Sequence, residues 1–250
     1  MLLSTLVSHL DALLDPRRMH DYCPNGLQVE GRAEVRRLAS ACTASLEVCA
    51  AAAARGCDAL FVHHGILWGK DLRLTGMLGR RVATLMAAQC SLLGYHLPLD
   101  AHAEVGNNAV LLDLLGARRV RSFAEHHGTS IGWVGELAQA EPAAAFAARL
   151  ATIVNHAVLH CPGDGRAIRL IGAVTGGGGG HLLDAARAGC DALVTGEVNE
   201  AQWHEAAETG CHAFAAGHHA TESIAIHRLA AQIAADHGLA HERIEITTPL

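Results

Sequence analysis

The pentapeptide Gly-Cys-Asp-Ala-Leu occurs twice in this chain, at 56–60 and at 189–193. Each copy sits at the same place in a longer pattern. A short apolar run ending in Thr43 or Thr175 comes first, then an alanine-rich stretch, the pentapeptide, and a turn carrying His or Glu. Thr43 precedes Gly56 by 13 positions and Thr175 precedes Gly189 by 14, so a single insertion separates the copies. Farther on, Gly94, His96 and Asp100 in one half answer to Gly217, His218 and Glu222 in the other. Both place a carboxylate four residues after a histidine. A chain of 250 residues can form one domain or two, and the duplication favours two.

Hydrophobic periodicity fills in the elements. Strands are expected at 38–43, 59–63, 91–96, 169–175, 192–195 and 213–216, with shorter extended pieces at 27–29, 130–136 and 243–247. Helices are expected at 45–55, 79–89, 107–115, 142–153, 181–188, 200–209 and 221–237, after an amphipathic helix at the start of the chain. Strands alternating with helices of about 10–15 residues indicate an α/β fold. The expected architecture is two similar α/β units with mostly parallel sheets flanked by helices, related by the internal repeat. The first would span residues 1–125 and the second 126–250, with the boundary near 123–130, where polar and small residues cluster.

Composition removes several function classes. Charged residues make up 18% of the chain, its formal net charge is −6, and it has no Lys/Arg block, which disfavours nucleic acid as a partner. No apolar run approaches the roughly 20 residues that a membrane span requires. The first residues lack a basic start and carry Asp11 and Asp15, which suit an amphipathic helix and not a signal peptide, so a cytoplasmic location is expected. The eight cysteines form no C-x-x-C pair and mostly have apolar neighbours, so they read as buried free thiols.

In parallel sheets, ligand sites collect at the carboxyl ends of strands, where loops and helix N-termini meet. His63 and His64 end the second expected strand of the first unit, His96 ends the third, and His218 follows the equivalent strand of the second unit. Successive side chains on a strand alternate in direction, so His63 and His64 are better placed to hold two neighbouring ions than to chelate one. A carboxylate such as Asp100 or Glu222 can bridge ions about 3.5–4 Å apart. His218 and Glu222, four apart, share one face of a helical turn. Imidazole and carboxylate donors without thiolate suit zinc, iron, manganese, cobalt or nickel. One histidine among 18 carries no signal, whereas His63, His64, Asp100, His218 and Glu222 all follow apolar strands and together form a candidate metal site between the units.

Other residues take lesser parts. Gapless alignment of the pentapeptides sets Glu197 opposite His64, which makes Glu197 a candidate for orienting a ligand or transferring a proton; a plain helix-start carboxylate is the alternative. Asp21 and Asn25 lie in a turn that can face a ligand or simply turn the chain. The five glycines at 176–180 can cradle an anion with backbone N–H groups or serve as a flexible connector. His126 and His127 read as a solvated loop, His204 as an ordinary helix residue, and His219 as a residue that orients a ligand.

Taken together, PNGLQVEG, LFVHHG, GYHLPLDAH with GNN, TGGGGG, DALVTGEV and AAGHHATE resemble the GTP cyclohydrolase I type 2 homologue family almost end to end. The resemblance implies a dinuclear metal centre, with ligands at His63, His64, Asp100, His218 and Glu222 and an auxiliary position at His96. It also implies a toroidal homohexamer built as three dimers. The expected activity is metal-dependent hydrolysis of a small nitrogen heterocycle or nucleotide, using two divalent ions per subunit and with Glu197 or His96 moving protons. The alternative is a non-catalytic hexamer that binds metal for delivery, sensing or partner assembly.

Overall fold

The structure, a computed structural model, describes residues 1–69, 72–246 and 248–249. In chain order its elements are α1 (Leu3–Leu14), β1 (Gly26–Val29), β2 (Arg37–Thr43), α2 (Leu46–Ala54), β3 (Ala59–His64), α3 (Gly76–Ala87), β4 (Ser91–Gly94), α4 (Leu97–Ala101), α5 (Asn107–Leu114), β5 (Arg118–His126) and β6 (Thr129–Glu141). There follow α6 (Ala143–Val154), β7 (Leu159–Cys161), β8 (Ile168–Ala173), α7 (Leu182–Arg187), β9 (Ala192–Thr195), α8 (Glu200–Thr209), β10 (His212–Ala215), α9 (His218–His237) and β11 (Ala240–Arg243). The result is a mixed α/β fold of two helix-flanked sheets.

The chain packs as two units. The first is Met1–Leu99 joined by the segment that begins at Ala225, and the second starts at Asp100 and runs to Ile224. The expected division at 125/126 falls inside the second of these units. The polar stretch at 123–130 is a hairpin turn inside one sheet, with Glu125 paired to Ser130 and His126 to Thr129. His127 and Gly128 both have positive φ (46° and 82°), as a tight hairpin turn with the twist of its strands requires. Strand β5 escaped the periodicity reading because Arg118, Arg119 and Arg121 break up its apolar residues, and its outer stretch is largely exposed at the sheet edge.

In the first unit the strand order is β1-β4-β3-β2-β11, parallel except for β1. Val48, Cys49 and Ala52 of α2 and Leu85 of α3 pack onto Leu60, Val62 and Leu92 of the sheet. Helix α1 buries Leu3, Leu6, Leu10 and Leu14, a stripe spaced at three and four residues. Helix α2 starts where the Ser45 side chain accepts a 3.1 Å hydrogen bond from the Val48 N–H. The closing strand β11 lies slightly upstream of the expected 243–247, whose last residue, Thr247, falls outside the described residues.

The second unit has the order β5-β6-β8-β9-β10-β7. Only β8, β9 and β10 run parallel; β6 pairs antiparallel with both β5 and β8, and β7 pairs antiparallel with β10. Its sheet is therefore mixed, not mostly parallel. Phe146, Leu150 and Val154 of α6 pack with Ile168, Ile171, Val194 and Phe214, and the Phe146 and Phe214 rings lie 5.0 Å apart.

The repeat is real at the level of topology. Each unit has an antiparallel strand beside the last of three parallel strands, and those three are joined through helices in the same order. The pentapeptide has the same task in both. Gly56 and Gly189, at φ of 63° and 75°, end α2 and α7. Asp58 then accepts hydrogen bonds from the Arg36 and Arg37 N–H groups at 2.8 and 2.9 Å, and Asp191 accepts from Arg169 and Leu170 at 3.0 and 2.8 Å. Each aspartate thus ties the start of its own strand to the start of the neighbouring one, at the end of the sheet away from the histidines.

Candidate metal-ligand sets

In the first unit, His63 and His64 are the last residues of β3, and His96 follows β4, the next strand of the sheet. Parallel pairing brings both strand ends to one edge, and the ligand atoms of His63, His64 and His96 lie within 4.8 Å of one another. Their ring centroids are 4.5 Å (His63 to His64), 5.1 Å (His63 to His96) and 5.6 Å (His64 to His96) apart. His63 is fully buried. Its Nδ1 lies 3.1 Å from the Tyr95 carbonyl oxygen; a carbonyl only accepts, so Nδ1 carries the proton and Nε2 keeps its lone pair. His64 Nδ1 is 2.9 Å from the Thr43 hydroxyl.

His96 is set by Asp21. The Asp21 carboxylate accepts from His96 Nδ1 at 2.7 Å, from the Tyr22 and Leu97 N–H groups at 2.6 and 3.0 Å, and from the Asn25 amide at 2.8 Å. The Asn25 side chain in turn accepts from the His96 N–H at 2.7 Å. Burial favours a protonated Asp21, but the hydrogen bond and charge of His96, then the bonds from Asn25 and Tyr22, outweigh it and hold the carboxyl below its ordinary value. Asp21 and Asn25 therefore do more than turn the chain: they fix the ring of His96 with Nε2 turned away from the carboxylate.

In the second unit, His218 opens α9 and stands between two carboxylates. Its Nδ1 is 2.5 Å from Glu197 Oε1 and its Nε2 is 3.2 Å from Glu222 Oε2. Burial disfavours the imidazolium, yet Glu222 first and Glu197 second more than compensate and push the His218 pKa up to about 9. Glu222 is 3% exposed. Gly176, at φ 59°, makes room for it: a Cβ on Gly176 would lie 1.9 Å from Glu222 Oε1 and 3.0 Å from His218 Nε2. The Gly176 N–H donates to the Thr221 hydroxyl at 3.1 Å. Asp100 is also buried, and its Oδ1 accepts from the Asn107 amide at 2.8 Å and the Thr175 hydroxyl at 3.3 Å.

Each sequence-predicted ligand thus belongs to a cluster within its own unit: His63 and His64 with His96, His218 with Glu222 and Glu197, and Asp100 with Asn107 and Thr175. The orienting roles of Tyr95, Thr43, Asn107 and Thr175 were missed, since a backbone carbonyl, hydroxyl or amide has no sequence signature of its own; the pointers were the GNN of the resemblance for Asn107 and the repeated apolar runs that end in Thr43 and Thr175. The glycine run has a packing reason. A Cβ on Gly178 would lie 2.5 Å from the Val174 side chain, and one on Gly179 would lie 2.5 Å from the Glu197 carbonyl oxygen. Of the histidines set aside, His126 ends β5 and His204 is exposed on α8. All eight cysteines are buried and free, and burial pushes Cys90 and Cys211 up to about 12.

Comparison with known proteins agrees over nearly the whole chain. The model of the family Duf34/NIF3 (NGG1p interacting factor 3) matches residues 1–249. The GTP cyclohydrolase 1 type 2 homolog of Pseudomonas aeruginosa is 42% identical over 248 residues, 99% of this chain and 98% of that protein. The protein of the same name from Haemophilus influenzae is 40% identical over 238 residues, 94% of each chain. Among solved structures, protein ybgI, described as of unknown function, superposes with a TM-score of 0.94 at 37% identity over 100% of both chains. TTHA1606 of Thermus thermophilus gives 0.89 at 35%, again over 100% of both. With the family model spanning both sheets and every residue of the two candidate ligand sets, the chain belongs to the Duf34/NIF3 family, alongside the GTP cyclohydrolase 1 type 2 homologues.

Proposed function

We propose that the protein is a metal-dependent hydrolase that holds two divalent cations per chain, through His63 and His64 in the first unit and Asp100, His218 and Glu222 in the second. The favoured substrate class is a small nitrogen heterocycle or nucleotide. The observation that carries the reading is the clustering of His63, His64 and His96, whose ligand atoms all fall within 4.8 Å, with His63 Nδ1 committed to a carbonyl. That is the arrangement in which a histidine presents its other nitrogen to a metal. The donors are nitrogen and oxygen, which suits zinc, iron, manganese, cobalt or nickel. A homohexamer of three dimers is the assembly that the family resemblance supports.

Divalent ions bound there would supply Lewis acidity, lowering the pKa of a water and polarising a carbonyl or cyclic amidine. The chain's own residues supply the rest. Glu197, half exposed, accepts the Nδ1 proton of His218 and can exchange it with solvent. His96, its ring fixed by Asp21, has Nε2 available to give or take a proton. Gly176 leaves the space into which the Glu222 carboxylate is turned.

Metal analysis of protein prepared without added metal tests the reading, followed by hydrolysis assays on heterocyclic nucleotides with that ion restored. His218→Ala should lose at least one equivalent of metal and the activity with it. Two equivalents retained in that variant would contradict the ligand assignment, and tightly bound metal with no saturable hydrolysis would contradict the catalytic role.

A further inference from the structure

We propose that Trp68 and Tyr22 form a stacking subsite for a planar heteroaromatic ring beside His96. The inference rests on the hydrolase reading above and names how its substrate is recognised. Trp68 lies four residues past the end of β3 and is 38% exposed, and Tyr22, next to Asp21, is 63% exposed. Lone exposed apolar side chains are ordinary on a protein surface, and Leu72, Leu74 and Met77 are exposed as well. What sets Trp68 and Tyr22 apart is that both contact the same candidate ligand. The Trp68 ring centroid lies 5.1 Å from that of His96, nearly perpendicular at 84°, and 6.0 Å from that of His64. The Tyr22 ring lies 6.2 Å from that of His96.

The Trp68 ring is held in place before any ligand arrives, and the backbone of Tyr22 is anchored beside His96. The Trp68 indole N–H donates to the Gly65 carbonyl at 2.9 Å, and the Ile66 N–H in the same turn donates to the Gln28 side chain at 2.8 Å. Gln28 is itself anchored to the Pro24 carbonyl at 2.8 Å. Tyr22 is positioned through its backbone N–H, which donates to Asp21 at 2.6 Å, the same carboxylate that orients His96. Rigid aromatic side chains lose little conformational freedom on binding, and stacking on them accepts any flat heterocycle because every such ring has a π-face. Hydrogen-bonding specificity is left to other groups. A ring stacked here sits beside His96, the residue assigned to move a proton.

Binding of guanosine and adenosine to the full-length protein, metal-loaded and metal-stripped, tests the subsite by calorimetry and tryptophan fluorescence, with ribose as the non-aromatic control. Trp68→Leu should weaken nucleoside binding by about tenfold or more, and Tyr22→Leu should weaken it measurably. Trp68→Phe should stay within about threefold of wild type while abolishing the fluorescence quenching. Metal content should be the same in all variants. Nucleoside affinity unchanged in both leucine variants, binding of ribose as tight as of the nucleosides, or no nucleoside binding by metal-loaded wild type would each overturn the subsite. The metal reading fails separately: protein that takes up no metal yet binds nucleosides through Trp68 sinks the hydrolase and supports the stacking surface.

Discussion

Glu197 Oε1 stands 2.5 Å from Nδ1 of His218, and the other nitrogen of the same ring faces Glu222 at 3.2 Å. One carboxylate is buried and the other half exposed, so under the proposed reading the two have different parts: Glu222 as a candidate ligand, Glu197 as the group that sets the orientation and basicity of the imidazole. Gapless alignment of the pentapeptides sets Glu197 opposite the candidate ligand His64, and the structure brings it to another candidate, His218.

Glu197→Gln separates those parts. The amide still accepts a hydrogen bond from Nδ1–H but carries no charge, so the His218 pKa should fall while the ring stays in place. Loss of such a partner typically costs about 10–100-fold in metal affinity or activity. Histidine NMR titration and metal analysis read the two effects. Wild-type metal affinity, activity and His218 pKa in this variant would rule Glu197 out.

Metal uptake should depend on pH through His218. Without metal its pKa is raised from 6.5 to about 9, because the imidazolium interacts favourably with Glu222 and Glu197 against the cost of burial. That interaction stabilises the metal-free fold in full below about 6.5 and is lost as pH rises through about 9. A cation at Nε2 must displace the proton. Affinity should therefore increase with pH across this window and level off above it, with about one proton released near neutrality. Calorimetry in buffers of different ionisation enthalpy measures that release, and the slope should flatten in His218→Ala.

Adjacent glycines should respond differently to one added methyl group. Gly176→Ala puts a Cβ 1.9 Å from Glu222 Oε1 at φ 59°, a conformation that costs about 1–2 kcal/mol for a residue with a side chain. It should displace Glu222 and lower the metal content. Gly177→Ala meets nothing within 4 Å and has an ordinary φ of −77°; it should bind metal like wild type. Equal metal content in the two variants would mean that the space at Gly176 is unimportant to the ligand set.

The aspartates of the repeat should matter for stability alone. Asp58 accepts two backbone N–H bonds and pairs with Arg32 at 3.0 Å, and hydrogen bonds to a charged group contribute about 1.5–3 kcal/mol each. Asp58→Ala should destabilise the fold by about 2–4 kcal/mol while native protein keeps its full metal content. Asp191→Ala should act likewise through Arg169 and Leu170. Urea unfolding read beside metal analysis checks both; loss of metal at unchanged stability would place these residues in the site.

Much of this architecture was written along the chain. Every parallel strand that carries a site residue is apolar and continuous, so periodicity located β2, β3, β4, β8, β9 and β10, and helix α8 was predicted at the residues it occupies. The start of α9 came three residues earlier than periodicity indicated, because Gly217 and His218 carry no apolar signal. The hairpin of β5 and β6 was read only in part: an edge strand exposed along much of its length has no reason to alternate cleanly.

The order of apolar strands and the spacing of His and Glu after them were enough to nominate the ligands, because backbone direction puts strand ends on one edge of a sheet whatever else surrounds them. Tertiary structure decided which groups orient those candidates. The Tyr95 carbonyl behind His63, Asp21 behind His96 and Glu197 behind His218 lie 32, 75 and 21 positions from their partners. No local pattern encodes contacts made across a sheet. It also decided where the units divide: the segment from Ala225 returns to the first sheet because β11 finds its parallel partner in β2, a pairing that is satisfied only in the folded chain.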